Sequence, residues 1–312
     1  MPEKKTPLWL WPNLLSLDAP IVALVWLYMF KRAWHVNYLP WQSYLALGLA
    51  VWVVYVADRL LDHRIRPAED PHIGARHAFH YKHRRLFQVG VLSALATIVF
   101  LVFKVLPSEL IVDFSRGIRP LPFDFIFSYA GMGLLLVVLF FSMVLVSADT
   151  QEIPYLRNLV AGMAFGYGTA IMAHVYAPTQ GVWELIRNSW ELRAFGILCV
   201  LNITAIHLWE RSRMTSDPDK KAGYEMILTV MLIALAGFAL AFAYHHNPGL
   251  FGRDDAADQA QQRPFFYAIL ISAALLQIVN RNRSRFSLDG LRTLADLALI
   301  IPLPLFLIFE RG

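Results

Sequence analysis

Apolar residues along this chain come in long, nearly unbroken runs. They do not alternate as in a half-buried strand, and they lack the one-sided period of a surface helix. Such runs approach the roughly 20 residues a helix needs to cross a bilayer. They predict nine spans: 14–30, 41–61, 86–106, 123–146, 159–177, 192–209, 223–244, 265–279 and 294–309. The eighth is short, and a longer, partly apolar link joins the third to the fourth. No repeat of fixed period and no low-complexity segment interrupts the pattern. The expectation is an all-α, polytopic membrane protein with residues 1–312 as one domain.

Composition agrees. The 312 residues are 57% hydrophobic and 16% charged, where soluble domains carry about 25% charge. The single cysteine, Cys199, excludes an intrachain disulfide. Lys4 and Lys5 precede no separate signal-peptide core, so the first apolar run reads as a retained helix. With the N-terminus in the cytoplasm, the cytoplasmic segments hold 17 basic residues and the opposite ones 10. That bias follows the positive-inside rule. It predicts an integral, multi-pass protein of a bacterial inner membrane, with residues 62–85 cytoplasmic and the C-terminus outside. The net charge of +5 sits in loops and does not point to nucleic acid.

Candidate chemistry starts at the end of the second span. Asp58 and Asp62 are four apart, so on a helix they share one face and repel. A divalent cation relieves that repulsion, and Mg²⁺ suits one or two carboxylates together with substrate phosphates. The bland alternative is a solvated helix end. Asp18, Asp149, Glu210, Asp289 and Asp296, with Asn158 and Asn202, all fall on the same predicted side of the membrane. Polar groups at membrane depth are functional candidates, and their convergence predicts a cytoplasm-facing polar cavity. The competing reading has each acid capping a helix or pairing with a loop arginine.

The stretch Val54-Tyr55-Val56-Ala57-Asp58-Arg59-Leu60-Leu61-Asp62 resembles the first motif of the UbiA superfamily of intramembrane prenyltransferases, Asn-Asp-x-x-Asp-Arg-x-x-Asp. The last two aspartates and the arginine match, while Val54-Tyr55 replaces Asn-Asp. The run from Pro154 to Gly168 resembles the start of that family's fifth helix. Glu210, closing the sixth span, matches a second-motif aspartate, with Met214 where another is expected. The resemblance covers nearly the whole chain in order and topology. It implies Mg²⁺ held by Asp58, Asp62 and Glu210, which are also the expected catalytic residues. It further implies a prenyl diphosphate donor, a lipophilic acceptor and contact with membrane lipid.

Other residues take roles on chemical grounds. Arg59, Arg64 and Arg211 suit phosphate oxygens through the guanidinium fork, and Asn158 and Asn202 complete the expected substrate-binding set. Each arginine alone reads more readily as a topogenic or lipid-headgroup charge. Gly162 and Gly166 form a Gly-x-x-x-Gly pair that lets helices approach closely; Gly168 follows them. His72, His77, His80 and His83 invite a metal reading. The basic residues around them (Arg76, Lys82, Arg84, Arg85) fit better a lid over an anionic headgroup, or a plain solvated loop. Three functions stay open: a prenyltransferase, a non-catalytic relative that binds a prenyl lipid or a partner, and a small-solute transporter. The last requires polar residues through the whole membrane depth.

Overall fold

The computed structural model describes residues 8–65, 75–112, 124–147, 154–178, 181–244 and 256–311. Among them every regular element is helical. A short N-terminal turn, Leu8–Leu10 running into Trp11–Leu14, precedes α1 (Asp18–Ala33), α2 (Trp41–Ile65), α3 (Ala75–Lys82) and α4 (Arg84–Lys104). Then come α5 (Tyr129–Ser147), α6 (Pro154–His174), α7 (Val182–Asn188) and α8 (Trp190–Met214). α9 (Pro218–Tyr244), α10 (Ala256–Arg281), α11 (Leu288–Ile300) and α12 (Pro302–Arg311) complete the bundle.

Seven stretches among the described residues are long and apolar enough to cross a membrane: α2, α4, α5, α8, α9, α10 and the α11–α12 pair. The protein is therefore a polytopic helical membrane protein. α4, α5 and α9 carry the lipid-facing surface, with Leu92, Phe100, Leu134, Val138, Val230 and Ile233 exposed. Apolar exposure on that scale marks a membrane surface.

The first and fifth predicted spans fall on α1 and α6, which are not among the seven. α1 has 16 residues, or about 24 Å of helix, against a hydrocarbon core of roughly 30 Å. Its neighbours explain the tolerance. α1 packs on α2, α6, α10 and α11, and Val22, Ala23, Trp26, Leu27, Met29 and Phe30 are all buried. A helix enclosed by protein is not sized by lipid.

An aromatic block fills the centre of the bundle. Trp26 stacks on Phe195 at 4.4 Å and meets Phe265 edge-on at 5.4 Å, and Phe30 packs against both phenylalanines. Trp26 Nε1 donates to Leu299 O at 2.9 Å, just before the helix breaks. The ninth predicted span is in fact two helices, because Pro302 removes an N–H from the ladder. The eighth is longer than its apolar run: α10 begins at Ala256 and runs through Pro264.

α6 and α8 touch backbone to backbone. A Cβ on Gly162 would stand 2.5 Å from Val200 N, and one on Gly166 would stand 2.9 Å from Gly196 Cα. The close-packing reading of this glycine pair is correct. Gly168 has open space where its Cβ would be and takes no part. Pairing 162 with 200 and 166 with 196 defines an antiparallel register. Continued one turn, it puts Asn158 level with Thr204 and within a turn of Asn202.

At the other end of α6, the Tyr129 hydroxyl lies 2.6 Å from His174 Nδ1 and accepts from Gly181 N–H at 2.7 Å. His174, a mid-span polar candidate in the sequence, thus ties α5, α6 and the α7 entry together.

Candidate functional site

The polar residues of interest gather where α2 and α8 end and α6 and α11 begin. Two groups form there, one around Arg59 and one around Glu210.

Arg59 is 4% exposed. Its Nη1 donates to Asn13 O at 3.0 Å and to Ser16 Oγ at 2.6 Å. Ser16 Oγ also lies 3.1 Å from His80 Nε2. Asn13 Nδ2 donates to Asp18 Oδ2 at 2.7 Å, and Trp52 Nε1 donates to Leu15 O at 3.0 Å. Ser16 has φ 58°, and the left-handed turn it makes points the chain from the N-terminal turn into α1. The expected phosphate-binding arginine thus anchors the N-terminal turn to α2. A guanidinium satisfies several carbonyl and hydroxyl acceptors at once, which suits it to this place.

The histidines of the basic segment divide. His80 is buried and stacks on Phe87 at 4.1 Å, and His83 packs on Phe79 at 4.7 Å. These two are packing residues, not part of a solvated loop. His72 and the side chains of Arg76 and His77 lie outside the described residues, as does Asp149.

The first-motif carboxylates sit one turn apart on α2. The Asp58 side chain is half-buried; the side chains of Asp62 and Arg64 lie outside the described residues. Asp18 and Asp296 are close enough to Tyr55 to act on it electrostatically. Tyr55 in turn faces Phe165 of α6, ring centres 6.4 Å apart. The inner face of α2 therefore looks onto α6 and the start of α11.

The second group is held by a residue the sequence reading left among loop charges. Arg292, in the second turn of α11, is 7% exposed. Its Nη2 donates to Glu210 Oε1 at 2.5 Å and its Nη1 to Asp289 Oδ1 at 3.1 Å. The available signal was the α11 pattern itself: Leu291, Arg292, Ala295, Ala298 and Leu299 form its buried face. Glu210 does not terminate its helix either, since α8 continues to Met214.

Polar atoms without partners lie on the helices that carry this pair and on α6. Asn158 is 2% exposed and Asn202 8%. Asn158 Nδ2, Asn202 Oδ1, His207 Nε2 and Arg292 Nε are buried with no hydrogen bond. His207 also feels the charges of Arg211, Glu210 and Arg157. Native proteins rarely leave such atoms dry. Asn158 and Asn202, singled out from the sequence, are brought together. Arg211, further along α8, is half-exposed.

A second polar set lies between α9 and α10. Trp209 Nε1 donates to Asn280 Oδ1 at 3.0 Å, and Gln277 Nε2 donates to Thr229 Oγ1 at 3.0 Å. Glu225 takes Arg281 at 3.1 Å and Arg283 at 2.7 Å. Gln277 and Thr229 sit inside apolar runs, and the hydropathy of those runs hid them.

Among the described residues no three His, Cys, Asp or Glu side chains come together as a metal-ligand group. The carboxylates of Asp58 and Asp62 are the oxygen donors Mg²⁺ prefers. Glu210 has one of its two carboxylate oxygens, Oε1, taken by the Arg292 guanidinium. Comparison of the chain with protein families, with curated proteins and with solved structures finds no match in any of the three.

Proposed function

We propose that the protein is a UbiA-like intramembrane prenyltransferase. It moves an isoprenoid group from a prenyl diphosphate to an aromatic or other lipophilic acceptor. The carrying observation is the set of partnerless buried atoms on Asn158, Asn202, His207 and Arg292. Each such atom costs about 1–3 kcal/mol while it is buried and unpaired, and a bound anionic headgroup would accept from the donors among them, Asn158 Nδ2 and Arg292 Nε. In this reading nine helices surround a polar cavity open to the cytoplasm, α1 and α6 being the two enclosed by protein. The N-terminus is cytoplasmic, as the 17-to-10 basic asymmetry supports.

Transfer breaks the donor C1–O bond, and diphosphate leaves with the bonding pair. A bond forms to an acceptor carbon, which loses a proton. Mg²⁺ bound by Asp58 and Asp62 would neutralise the leaving diphosphate. Arg292, oriented by Glu210 and Asp289, presents a fixed cation to the same developing charge. Asn158 and Asn202 hold the headgroup, and Arg211 reaches it from the edge. The aromatic block of Trp26, Phe30, Phe195 and Phe265 keeps water from the isoprenoid end. That block also speaks against the transporter reading, which needs a polar path through the full depth.

The deciding experiment measures thermal stability in detergent with a series of prenyl diphosphates, with and without Mg²⁺, and pyrophosphate release in the presence of an acceptor pool. Mg²⁺-dependent stabilisation together with release is the expected result. No stabilisation by any donor would sink the proposal. Stabilisation without release would select a non-catalytic prenyl-lipid binder, the reading favoured by Glu210 being engaged with Arg292.

A further inference from the structure

Arg84 and Arg85 are expected from sequence to cover the donor headgroup, yet they line a different feature. A groove of about 730 Å³ runs between α2 and α4. Its α2 wall is Ala57, Leu60 and Leu61, with Arg59 at the inner edge; its α4 wall is Arg84, Arg85, Gln88, Val91 and Leu92, and Tyr81 closes the top. These are not the residues of α2 that meet the bundle interior, where Tyr55 faces Phe165. α4 packs mainly on α2, so the groove lies at the bundle's periphery.

The lining changes character along α4. Arg84 and Arg85 come first, Gln88 follows one turn on, and Val91 and Leu92 one turn further. That order matches an anionic lipid entering from the membrane edge, headgroup at the arginines and acyl chain along the leucines. Charge supports the same occupant. The first turn of α4 holds no acid, and its N-cap, His83, makes no side-chain cap. Two cations at a helix start oppose the helix dipole, an arrangement that a bound anion relieves. Among the described residues neither arginine is ion-paired. Arg84 instead lies over the Tyr81 ring at 5.2 Å, its charge still available.

We propose that the α2–α4 groove is a binding site for an anionic glycerophospholipid of the cytoplasmic leaflet, separate from the prenyl site. Juxtamembrane arginines attract anionic lipid, and the pair predicts a preference of about tenfold or more.

Native mass spectrometry of the purified protein tests this, using phosphatidylglycerol and phosphatidylcholine with the same acyl chains. Wild type should retain phosphatidylglycerol about tenfold better, and R84Q/R85Q should retain the two equally. L60W/L92W, which fills the apolar wall, should lose both lipids. Equal retention by wild type, or an anionic preference surviving in R84Q/R85Q, overturns the proposal. So does full displacement of the lipid by millimolar glycerol phosphate, which would make the groove a soluble-phosphate site. Thermal stabilisation of R84Q/R85Q by prenyl diphosphate should equal that of wild type. Loss of that response together with lipid retention would make the groove the donor site and overturn the separation, whereas failure of prenyl binding in wild type leaves the lipid result standing.

Discussion

The two motif regions at this end of the bundle use their charges in opposite ways. At the end of α2 the cation is the internal part: Arg59 is buried against the Asn13 carbonyl and the Ser16 hydroxyl. At the end of α8 the motif residue is a carboxylate near the surface, and the buried cation comes from another helix: Glu210 is held by Arg292 of α11, itself braced on Asp289. The first arrangement pins a chain segment, and Arg59 finds its acceptors within the protein. The second fixes a cation whose Nε still lacks a partner. In the proposed function an incoming anion would meet its hydrogen-bond donors at the α8–α11 side, not at Arg59. A motif residue recognised by type alone is therefore ambiguous, because the same charge orients a neighbour in one place and would face ligand in another.

The largest expected effect comes from removing the platform of the α8 side. Gly162→Leu drives a side chain into the Val200 backbone. Overpacking costs about 1–3 kcal/mol where side chains can shift, and here backbone must move, so monodisperse protein should be lost on size exclusion. Gly168→Ala, with open space, should behave as wild type. Equal behaviour of the two would mean that α6 and α8 are not in close contact.

Next in size is the Glu210–Arg292 pair. Glu210→Gln leaves a buried guanidinium short of charge, and breaking a buried pair costs on the order of 3 kcal/mol. The melting temperature should fall, and E210Q/R292M should recover much of the loss. A double-mutant cycle with no coupling would remove the contrast between the two regions.

Arg59→Met should cost about 1.5–3 kcal/mol, the range for hydrogen bonds to a charged group, with the damage confined to the N-terminal turn. Limited proteolysis should then cut within residues 8–17 before the bundle melts. Global melting without early cleavage would assign Arg59 a role in the bundle itself.

Asp58→Asn should have the smallest effect on the unliganded protein. Relief of the i, i+4 repulsion contributes about 0.2–0.5 kcal/mol, so stability should hold or rise slightly while Mg²⁺-dependent stabilisation by prenyl diphosphate falls. Marked destabilisation without ligand would make Asp58 structural, like Arg59.

Much of the fold was legible. Long apolar runs located most helices, because a bilayer demands length and apolarity together. The Gly162/Gly166 spacing foretold a close helix pair. Misreadings came where neighbours outweigh local pattern. Leu14 belongs to a turn and not to α1, because Ser16 redirects the chain before Asp18. Gln277 Nε2 donates to Thr229 across α9 and α10, which lets both sit inside apolar runs. At the site, Asn158 and Asn202 stood out as polar residues at membrane depth. Arg292 did not, since an arginine near a predicted helix start looks like any topogenic charge until its buried face is seen.

Taken alone, the sequence determined that the chain is helical, polytopic and apolar, and which end of each helix carries charge. Those properties follow from composition and from runs of adjacent residues. Only the tertiary structure decided that Arg59 closes on the N-terminal turn, that Glu210 closes on Arg292, and that Arg84 and Arg85 face a peripheral groove. Each depends on contacts between residues dozens of positions apart, and on whether a charge is buried with a partner. Helix packing settles both, and no local pattern encodes either.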